Sequence, residues 1–314
     1  MADWYFRSSK PNNLIVCPGC RNLVRRNEEF CPFCARRLRA AGGAQAWLSR
    51  AFSSPDSMTR FLLGMMALGF ILQIVADFFL PEQFRDRAGR GILGAFMGAN
   101  ALTYIRMGSN FQFLVAVHHE YWRWVTYCFL HIGILHILFN SWAMWDLGRL
   151  AERLWGTRQV FATFILTGIA GGALSFAWNI FVLGRPANSA GASGAICGIL
   201  GLLLGAYYKN RYHVGEFLGS QLIRWAVMIL VFGLVVGADN GAHVGGMLAG
   251  AVLGYCLPPT NTTKTPDRDG KAWRALAWLS LILLVVSVAC AVWFYAQGPV
   301  YAGLKSLLLR TVAH

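Results

Sequence analysis

Two stretches of the sequence decide the fold: GASGAICGILGLLLGAYY at residues 191–208 and GAHVGGMLAGAVLGYCL at residues 241–257. Each is an apolar run with a polar side chain near its start, Ser193 in the first and His243 in the second. Small residues recur every three or four positions on the same face as that side chain. Because small residues let two helix backbones approach closely, the pattern predicts a helix pair that brings Ser193 and His243 within hydrogen-bond reach.

The composition indicates an all-α, polytopic membrane protein. Of the 314 residues, 56% are hydrophobic and only 13% are charged, and the mean hydropathy is +0.47. A spanning helix needs about 20 mostly apolar residues, and seven segments meet or approach that length. They lie at roughly 58–80, 125–147, 159–183, 193–208, 222–238, 243–257 and 273–297. The fourth, fifth and sixth segments are short and are expected to be buried among other helices. The apolar run at 91–105 is expected to be re-entrant or interfacial.

The distribution of basic residues predicts the orientation in the membrane. The net charge is +14, and with seven spans and a cytoplasmic N-terminus most of the 28 lysines and arginines fall in cytoplasmic segments. A basic membrane flank therefore explains the charge, and no nucleic-acid partner is expected. The first 57 residues lack the apolar region of a cleavable signal peptide, so none is expected.

Two CxxC motifs lie near the N-terminus, with ten residues between them. Cys17, Cys20, Cys31 and Cys34 can complete a tetrahedral four-thiolate site, which is typical of structural zinc. Two disulfides or a redox-active CxxC are the alternatives, but a cytoplasmic N-terminus disfavours disulfides and no βαβ pattern surrounds either motif. Since four sulfur ligands leave no open coordination position, the zinc is expected to be structural, and no cofactor is expected to be needed for catalysis.

The domain organisation follows from these composition changes. We expect a zinc-ribbon-like domain, a linker, a six-helix membrane core, a second linker, a seventh transmembrane helix and a tail. Their predicted ranges are 1–40, 41–57, 58–257, 258–271, 272–297 and 298–314, respectively. The first outer loop, at about 81–123, is much longer than the usual connection, and length of this kind is usually functional.

Further polar side chains occur inside the predicted spans. His136 and Asn140 are four residues apart and project from one face of a helix, where two hydrogen-bond donors can stabilise an oxyanion. The alternative is that both side chains only hold neighbouring helices together. His131 is expected to face elsewhere, and Asp239 is expected to lie solvated in a loop.

In combination these motifs resemble the rhomboid family of intramembrane serine proteases. The matching motifs occur in family order over about two thirds of the chain, from roughly residue 58 to residue 257. They are Trp122-Arg123, His131-(four)-His136-(three)-Asn140, Glu152 followed by Gly156, Gly191-Ala192-Ser193-Gly194 and Gly241-Ala242-His243-(two)-Gly246.

The resemblance implies a rhomboid-like six-helix bundle, in which Ser193 is the nucleophile and His243 is the general base. It further implies that His136, Asn140 and the Ser193 backbone N–H bind the oxyanion, and it assigns structural support to Trp122-Arg123 and Glu152. At one position the chain departs from the family pattern: Cys197 stands where the family frequently has a tyrosine that packs on the catalytic histidine. His243 is therefore expected to be held less firmly unless another side chain fills that space.

Other functions fit the sequence less well. A catalytically inactive rhomboid-like protein that binds transmembrane helices is the main alternative, although loss of Ser193 or His243 is its usual signature and both are present. A transporter or channel would show inverted repeats and broken helices in both halves. A soluble α/β-hydrolase is excluded by the spans and by Ala195, which replaces the second glycine of G-x-S-x-G. The HExxH motif of zincins does not occur in the sequence.

The sequence therefore predicts a multi-pass intramembrane serine endopeptidase with a Ser193/His243 dyad. Its expected partners are transmembrane protein substrates and the lipid bilayer. The loop at 183–192 is expected to supply irregular backbone that lines a water-filled cavity, and the predicted orientation opens this cavity to the extracytoplasmic side.

Overall fold

The computed structural model describes residues 14–17, 20, 22–25, 28, 31–34, 38, 56–79, 100–209, 216–257 and 266–296, with the backbone alone at 216–218 and 266–270. The chain divides into two compact units, Met1–Ser54 and Pro55–His314. Most of the first predicted linker, residues 80–99 of the first outer loop, most of the second linker and the tail lie outside the described residues.

The first unit contains a small antiparallel hairpin, formed by β1 (Leu14–Val16) and β2 (Leu23–Arg25). Ile15 lies opposite Val24 in this pair. Val24 is buried and packs in one cluster with Cys17 and Cys31. The hairpin therefore forms the apolar support of the cysteine motifs.

The second unit is helical apart from one short strand pair, in the part of the chain that the structure describes. In chain order its elements are α1 (Ser57–Phe78), α2 (Ala101–Met107), β3 (Asn110–Phe111), α3 (Gln112–His118), α4 (Arg123–Phe129), α5 (Ile134–Trp155), α6 (Thr157–Val182), β4 (Asn188–Ser189), α7 (Ser193–Lys209), α8 (Glu216–Val236), α9 (Asn240–Cys256) and α10 (Pro266–Ala296). A helical element therefore covers each of the seven segments predicted to span the membrane.

Not all of these helices are long enough to span a membrane by themselves. Within the described residues, four helices pass on length and hydropathy, namely α1, α6, and the portions Gly219–Val236 of α8 and Lys271–Ala296 of α10. The pair α4 and α5 passes as a fifth span if its bend is included. Helices α7 and α9 have 17 residues each, about 25 Å at 1.5 Å per residue, and they pack against other helices. The chain is therefore an integral membrane protein with several apolar helices.

The second predicted span is a bent pair of helices and not one continuous helix. Helices α4 and α5 meet at an angle of 97° around Leu130–Gly133. At this break the side-chain amide of Gln73, on α1, donates to the His131 carbonyl at 3.2 Å and accepts from the His131 N–H at 2.8 Å. Because one amide satisfies both backbone groups, the helix can break inside the protein without leaving them unpaired.

The fifth predicted span also differs from expectation. Helix α8 begins earlier than predicted and is 21 residues long. It is not buried among other helices, because only 17% of its apolar window is buried within the protein. Its outward face carries large apolar side chains that include Val231, Leu234 and Val235, and a lipid-facing helix has this composition.

Helices α7 and α9 form the most extensive helix contact of the molecule. The glycines of α9 lie directly on the backbone of α7: a Cβ atom on Gly246, Gly250 or Gly254 would overlap the carbonyl oxygen of Gly194, Gly198 or Leu202, respectively. The close approach predicted from the small residues is therefore observed. It leaves no room for any side chain between the two helices.

The polar end of α1 is held by a single carboxylate on α5. Glu152 is buried and accepts hydrogen bonds from the N–H groups of Met58 and Thr59 at 2.8 and 2.9 Å, and from the hydroxyls of Thr59 and Ser57. The first N–H groups of a helix have no intrahelical partner, and an acidic group beside them is favourable. This contact agrees with the structural role that the resemblance implies for Glu152.

Helix α10 packs on α6 and on the first outer loop. The ring of Phe294 stacks on Trp122 at 5.6 Å between centroids, and the guanidinium of Arg106 lies 4.6 Å above the ring of Tyr295. Trp122 in turn lies beneath the guanidinium of Arg123 at 4.6 Å. Helix α10, the seventh predicted span, therefore supports the loop that carries the Trp122-Arg123 motif.

The glycine contact between α7 and α9 leads to a test of the fold. We expect Gly250→Val to lower the free energy of unfolding by about 1–3 kcal/mol, the usual range for overpacking, because the new side chain must push α7 away. Gly64→Val on α1 is the matched control, since nothing lies within 4 Å of a Cβ there. Thermal unfolding in detergent measures both variants, and equal midpoints for the two would contradict the packing described.

Candidate active site

Ser193 and His243 lie at the starts of α7 and α9, where the two helices are in contact. The distance from Ser193 Oγ to His243 Nε2 is 2.8 Å, within hydrogen-bond range. His243 is only 4% exposed, and Ser193 is half-buried. The serine hydroxyl is therefore placed to donate its proton to the histidine in a site largely closed to bulk solvent.

The start of α9 is fixed by Asp239, which is the N-cap residue of that helix. Its carboxylate accepts from the N–H of Ala242 at 3.0 Å and from the hydroxyl of Ser175, on α6, at 2.5 Å. The expectation that Asp239 is solvated is therefore wrong. The reason is that an acidic side chain is favourable at an N-cap, and α6 brings a donor to its second oxygen.

The side chain of His243 also has a partner on its other nitrogen. Asn240 Oδ1 lies 3.0 Å from His243 Nδ1. Asn240 was not among the residues predicted from the sequence, although its spacing could have identified it, because positions i and i+3 lie on the same face of a helix.

His136 and Asn140 face the backbone just before Ser193. A Cβ atom at Gly191 would lie 2.8 Å from His136 Nε2 and 3.5 Å from Asn140 Nδ2, and Gly191 has a φ of +139° that disfavours any side chain. His136 Nδ1 accepts from the N–H of Ile132 at 3.4 Å, which leaves the proton of a neutral ring on Nε2. Both side chains therefore direct a hydrogen-bond donor towards the space beside Gly191.

Asn140 has a further property that suits a binding group. It is 5% exposed, and its Nδ2 has no hydrogen-bond partner within the described part of the protein. Buried polar groups without partners are rare in proteins. The first N–H groups of α7, from Ser193 onwards, also lack intrahelical partners and favour a negative charge. The candidate site therefore has a buried donor without a partner, Asn140 Nδ2, close to the start of a helix that favours a negative charge.

The remaining histidine of the motif supports this arrangement. His131 is fully buried, and its ring packs edge-on against that of His136, with 5.3 Å between centroids. His131 thus contacts the ring of His136, whereas the atoms nearest to a Cβ on Gly191 belong to His136 and Asn140. The helix break at this point, and not helical periodicity, sets its direction.

The loop at 183–192 is less irregular than predicted. Its strand β4 pairs antiparallel with β3 of the first outer loop, so that Asn110 lies opposite Ser189. The side chain of Gln112 extends the connection, because its Oε1 accepts from Ala187 N at 2.9 Å and its Nε2 donates to Ser175 Oγ at 2.9 Å. Through Ser175 the loop before Ser193 is linked to Asp239 at the start of α9.

The Trp122-Arg123 motif holds the first outer loop in shape. Arg123 is fully buried and donates to Glu120 Oε2 at 2.6 Å and to the carbonyl oxygens of Ile105 and Ser109 at 2.7 and 3.0 Å. These contacts agree with structural support and not with a role at the site.

Cys197 is fully buried one turn after Ser193. The phenol of Tyr127, from α4, lies near the two helix starts: its hydroxyl donates to the Gly168 carbonyl at 2.8 Å and would lie 3.0 Å from a Cβ on Gly194. A tyrosine from a different helix therefore fills space beneath the two helix starts, where Cys197 provides only a small side chain.

The four cysteines of the first unit lie together. The sulfur atoms of Cys17, Cys20, Cys31 and Cys34 are all within 4.8 Å of one another, with Cys17 to Cys34 at 3.7 Å and Cys20 to Cys31 at 3.6 Å. Disulfide sulfurs lie about 2.05 Å apart, whereas thiolates on a tetrahedral zinc, with bonds of about 2.3 Å, lie about 3.8 Å apart. The cluster therefore fits a metal ion and not two disulfides.

Comparison with known proteins agrees with these features. The family model described as the Rhomboid domain matches residues 118–260. Rhomboid protease GluP of Bacillus subtilis (strain 168) is 37% identical over 188 residues, which is 60% of this chain and 34% of that protein. RHOMBOID-like protein 1 of Arabidopsis thaliana is 31% identical over 61% of this chain and 52% of its own length. Rhomboid protease AarA of Providencia stuartii is 26% identical over 66% of this chain and 78% of its own length.

The alignments cover about a third of GluP and about half of RHOMBOID-like protein 1. The matched region contains α4 to α9, and with them the paired Ser193 and His243. The family match, the similarity to named rhomboid proteases and the membrane helices all agree: the chain carries a domain of the rhomboid family.

Proposed function

We propose that this protein is an intramembrane serine endopeptidase that cleaves transmembrane protein substrates. The observation that carries the proposal is the 2.8 Å distance between Ser193 Oγ and His243 Nε2 at the junction of two membrane-embedded helices. A nucleophile and a base within hydrogen-bond reach, with the base oriented by a third group, are typical of covalent catalysis. The similarity to GluP and AarA, both named rhomboid proteases, supports the same reaction class.

The mechanism follows from the roles of the two side chains. Ser193 Oγ attacks a peptide carbonyl carbon while His243 Nε2 accepts the hydroxyl proton. His243 then returns this proton to the leaving amine, which releases the first product and leaves an ester on Ser193. A water molecule, deprotonated by His243, attacks that ester and regenerates the serine.

The developing oxyanion needs donors that are already in place. Asn140 Nδ2 and His136 Nε2 lie beside Gly191, two residues before Ser193, and the first N–H groups of α7 have no intrahelical partners. Donors that are fixed before the reaction stabilise the transition state more than the substrate. Their convergence supports the assignment of Asn140 and His136 to the oxyanion site.

We further propose that the N-terminus is cytoplasmic, that the site opens to the extracytoplasmic side and that the first unit binds one structural zinc ion. The charge distribution supports the orientation. The spacing of the four sulfur atoms supports the metal. When bound, the zinc would hold the two CxxC motifs together, and four thiolates leave it no position for substrate.

The main alternative is a rhomboid-like protein that binds transmembrane helices without cleaving them. Such a protein does not need the Ser193 hydroxyl to be reactive, so a substitution at that residue distinguishes the two functions.

Substitution of the serine and histidine tests the proposed function. We expect Ser193→Ala and His243→Ala each to abolish cleavage of single-span substrates by the purified protein, because each removes one partner of the proton transfer. The unfolding midpoint should change little, since both variants only truncate a side chain. Ser280→Ala on α10 is the matched control, because this buried hydroxyl donates only to a carbonyl of its own helix, at Leu276. Cleavage at the wild-type rate by Ser193→Ala would contradict the proposal.

The oxyanion assignment has its own test. We expect Asn140→Ala to lower kcat by about 10²–10³-fold, as the loss of one oxyanion donor does in soluble serine proteases, with little change in KM. Steady-state kinetics and thermal unfolding should be measured together. An unchanged kcat with a lower unfolding midpoint would show that Asn140 only holds helices together.

The metal and the orientation are tested together. We expect elemental analysis to find one zinc per chain in the wild type and none after Cys17→Ser and Cys31→Ser are combined, whereas Cys290→Ser on α10 should keep the metal. The first unit should resist protease added to intact cells. A metal-free wild type, or digestion of the first unit from outside, would show that the corresponding proposal is wrong.

Deletion of residues 1–40 should spare cleavage, because a closed four-thiolate site takes no part in it.

A further inference from the structure

Asn240 connects the proposed base to helix α8. Its Oδ1 lies 3.0 Å from His243 Nδ1, and its Nδ2 donates to the carbonyl of Leu230, on α8, at 3.2 Å. The two ends of one amide group are therefore engaged by two different helices.

The contact with Leu230 determines which end of the amide faces the histidine. A backbone carbonyl can only accept, so the atom that faces it must be the amide nitrogen, and the atom that faces His243 must be the oxygen. Since that oxygen can only accept, Nδ1 of His243 must carry a proton. In a neutral ring Nε2 is then the free acceptor, and this is the nitrogen that lies 2.8 Å from Ser193 Oγ.

Helix α8 is shaped to accommodate this amide. Gly233 is buried on α8, and a Cβ atom there would overlap Asn240 Oδ1. The outer face of α8 is exposed and apolar. Asn240 is thus held between the histidine and a glycine of a lipid-facing helix.

We propose that Asn240 is a positioning residue that fixes the tautomer and ring orientation of His243, and that it makes both depend on the position of α8. This inference rests on the proposed function of His243 as the base. If α8 moves away, the Leu230 carbonyl no longer holds the amide, and the imidazole is free to rotate or to carry its proton on Nε2. In that tautomer Nε2 cannot accept the proton of Ser193.

A purely structural role makes a different prediction. If the amide only joined α8 to α9, its loss would lower the unfolding midpoint and leave turnover per folded molecule unchanged. A positioning role instead lowers kcat and leaves KM alone, because the substrate would still bind but fewer molecules would hold the base correctly.

The experiment compares Asn240→Ala, Asn240→Asp and Gly233→Ala with Gly64→Ala as the matched control for the glycine substitution. We expect Asn240→Ala to lower kcat by about 10²-fold, the effect of a misplacement of about 1 Å, with KM unchanged. Asn240→Asp should recover only part of the loss, because a carboxylate oxygen still accepts from Nδ1–H but the other oxygen cannot donate to the Leu230 carbonyl. Gly233→Ala should also lower kcat, since its methyl group displaces the amide oxygen, whereas Gly64→Ala should match the wild type.

Nitrogen NMR of the protein with labelled histidines supplies a measurement that does not depend on turnover. The chain has seven histidines, and the resonance of His243 is assigned by its loss in His243→Ala. We expect a protonated Nδ1 in the wild type and a mixture of tautomers in Asn240→Ala. Wild-type kcat in Asn240→Ala, or the same tautomer in both proteins, would overturn the inference. Wild-type cleavage by Ser193→Ala would instead refute the proposed function, so the two failures are distinguishable.

Discussion

The close contact between α7 and α9 is the constraint on which the rest of the site depends. Glycines of α9 lie on carbonyl oxygens of α7 along three turns, and this contact sets the distance between the two helix starts. Two helices separated by ordinary side chains lie about 8–10 Å apart between axes. A serine on one and a histidine on the other would need long side chains to meet. Ser193 and His243 meet directly because glycines let the backbones of their two helices come into contact.

The helix starts are also fixed from outside the pair. Gln112 connects the backbone at Ala187, before Ser193, to the hydroxyl of Ser175, and Ser175 connects to Asp239, before His243. Since β3 pairs with β4 in the same region, the first outer loop holds both ends of the site. The described part of that loop, from residue 100 onwards, therefore has a structural task close to the proposed chemistry.

Helical periodicity and residue type predicted the parts of this fold that depend on local sequence. The apolar runs, the glycine faces of α7 and α9 and the cysteine spacing could be recognised because each follows from neighbours in the chain. The break at Leu130–Gly133 could not, because it depends on Gln73, which is 58 residues away from His131 along the chain. The contact of Asp239 with Ser175 was missed for the same reason, since Ser175 lies on another helix, although the N-cap bond of Asp239 to Ala242 is local. Asn240 was different, because its spacing from His243 made the contact readable in advance.

The side-chain amide nitrogen of Asn140 has no hydrogen-bond partner among the described residues, and this affects the free energy of the resting protein. A buried donor without a partner destabilises the resting protein by about 1–3 kcal/mol, and Asn140 Nδ2 is such a donor. A negatively charged oxygen beside it would remove that penalty, so the gain on binding such an oxygen includes relief of an unfavourable state as well as a new hydrogen bond. A neutral carbonyl oxygen would recover less, because hydrogen bonds to charged groups are stronger. Under the proposed oxyanion role of Asn140, this difference would favour the charged oxygen over the neutral carbonyl oxygen of the substrate.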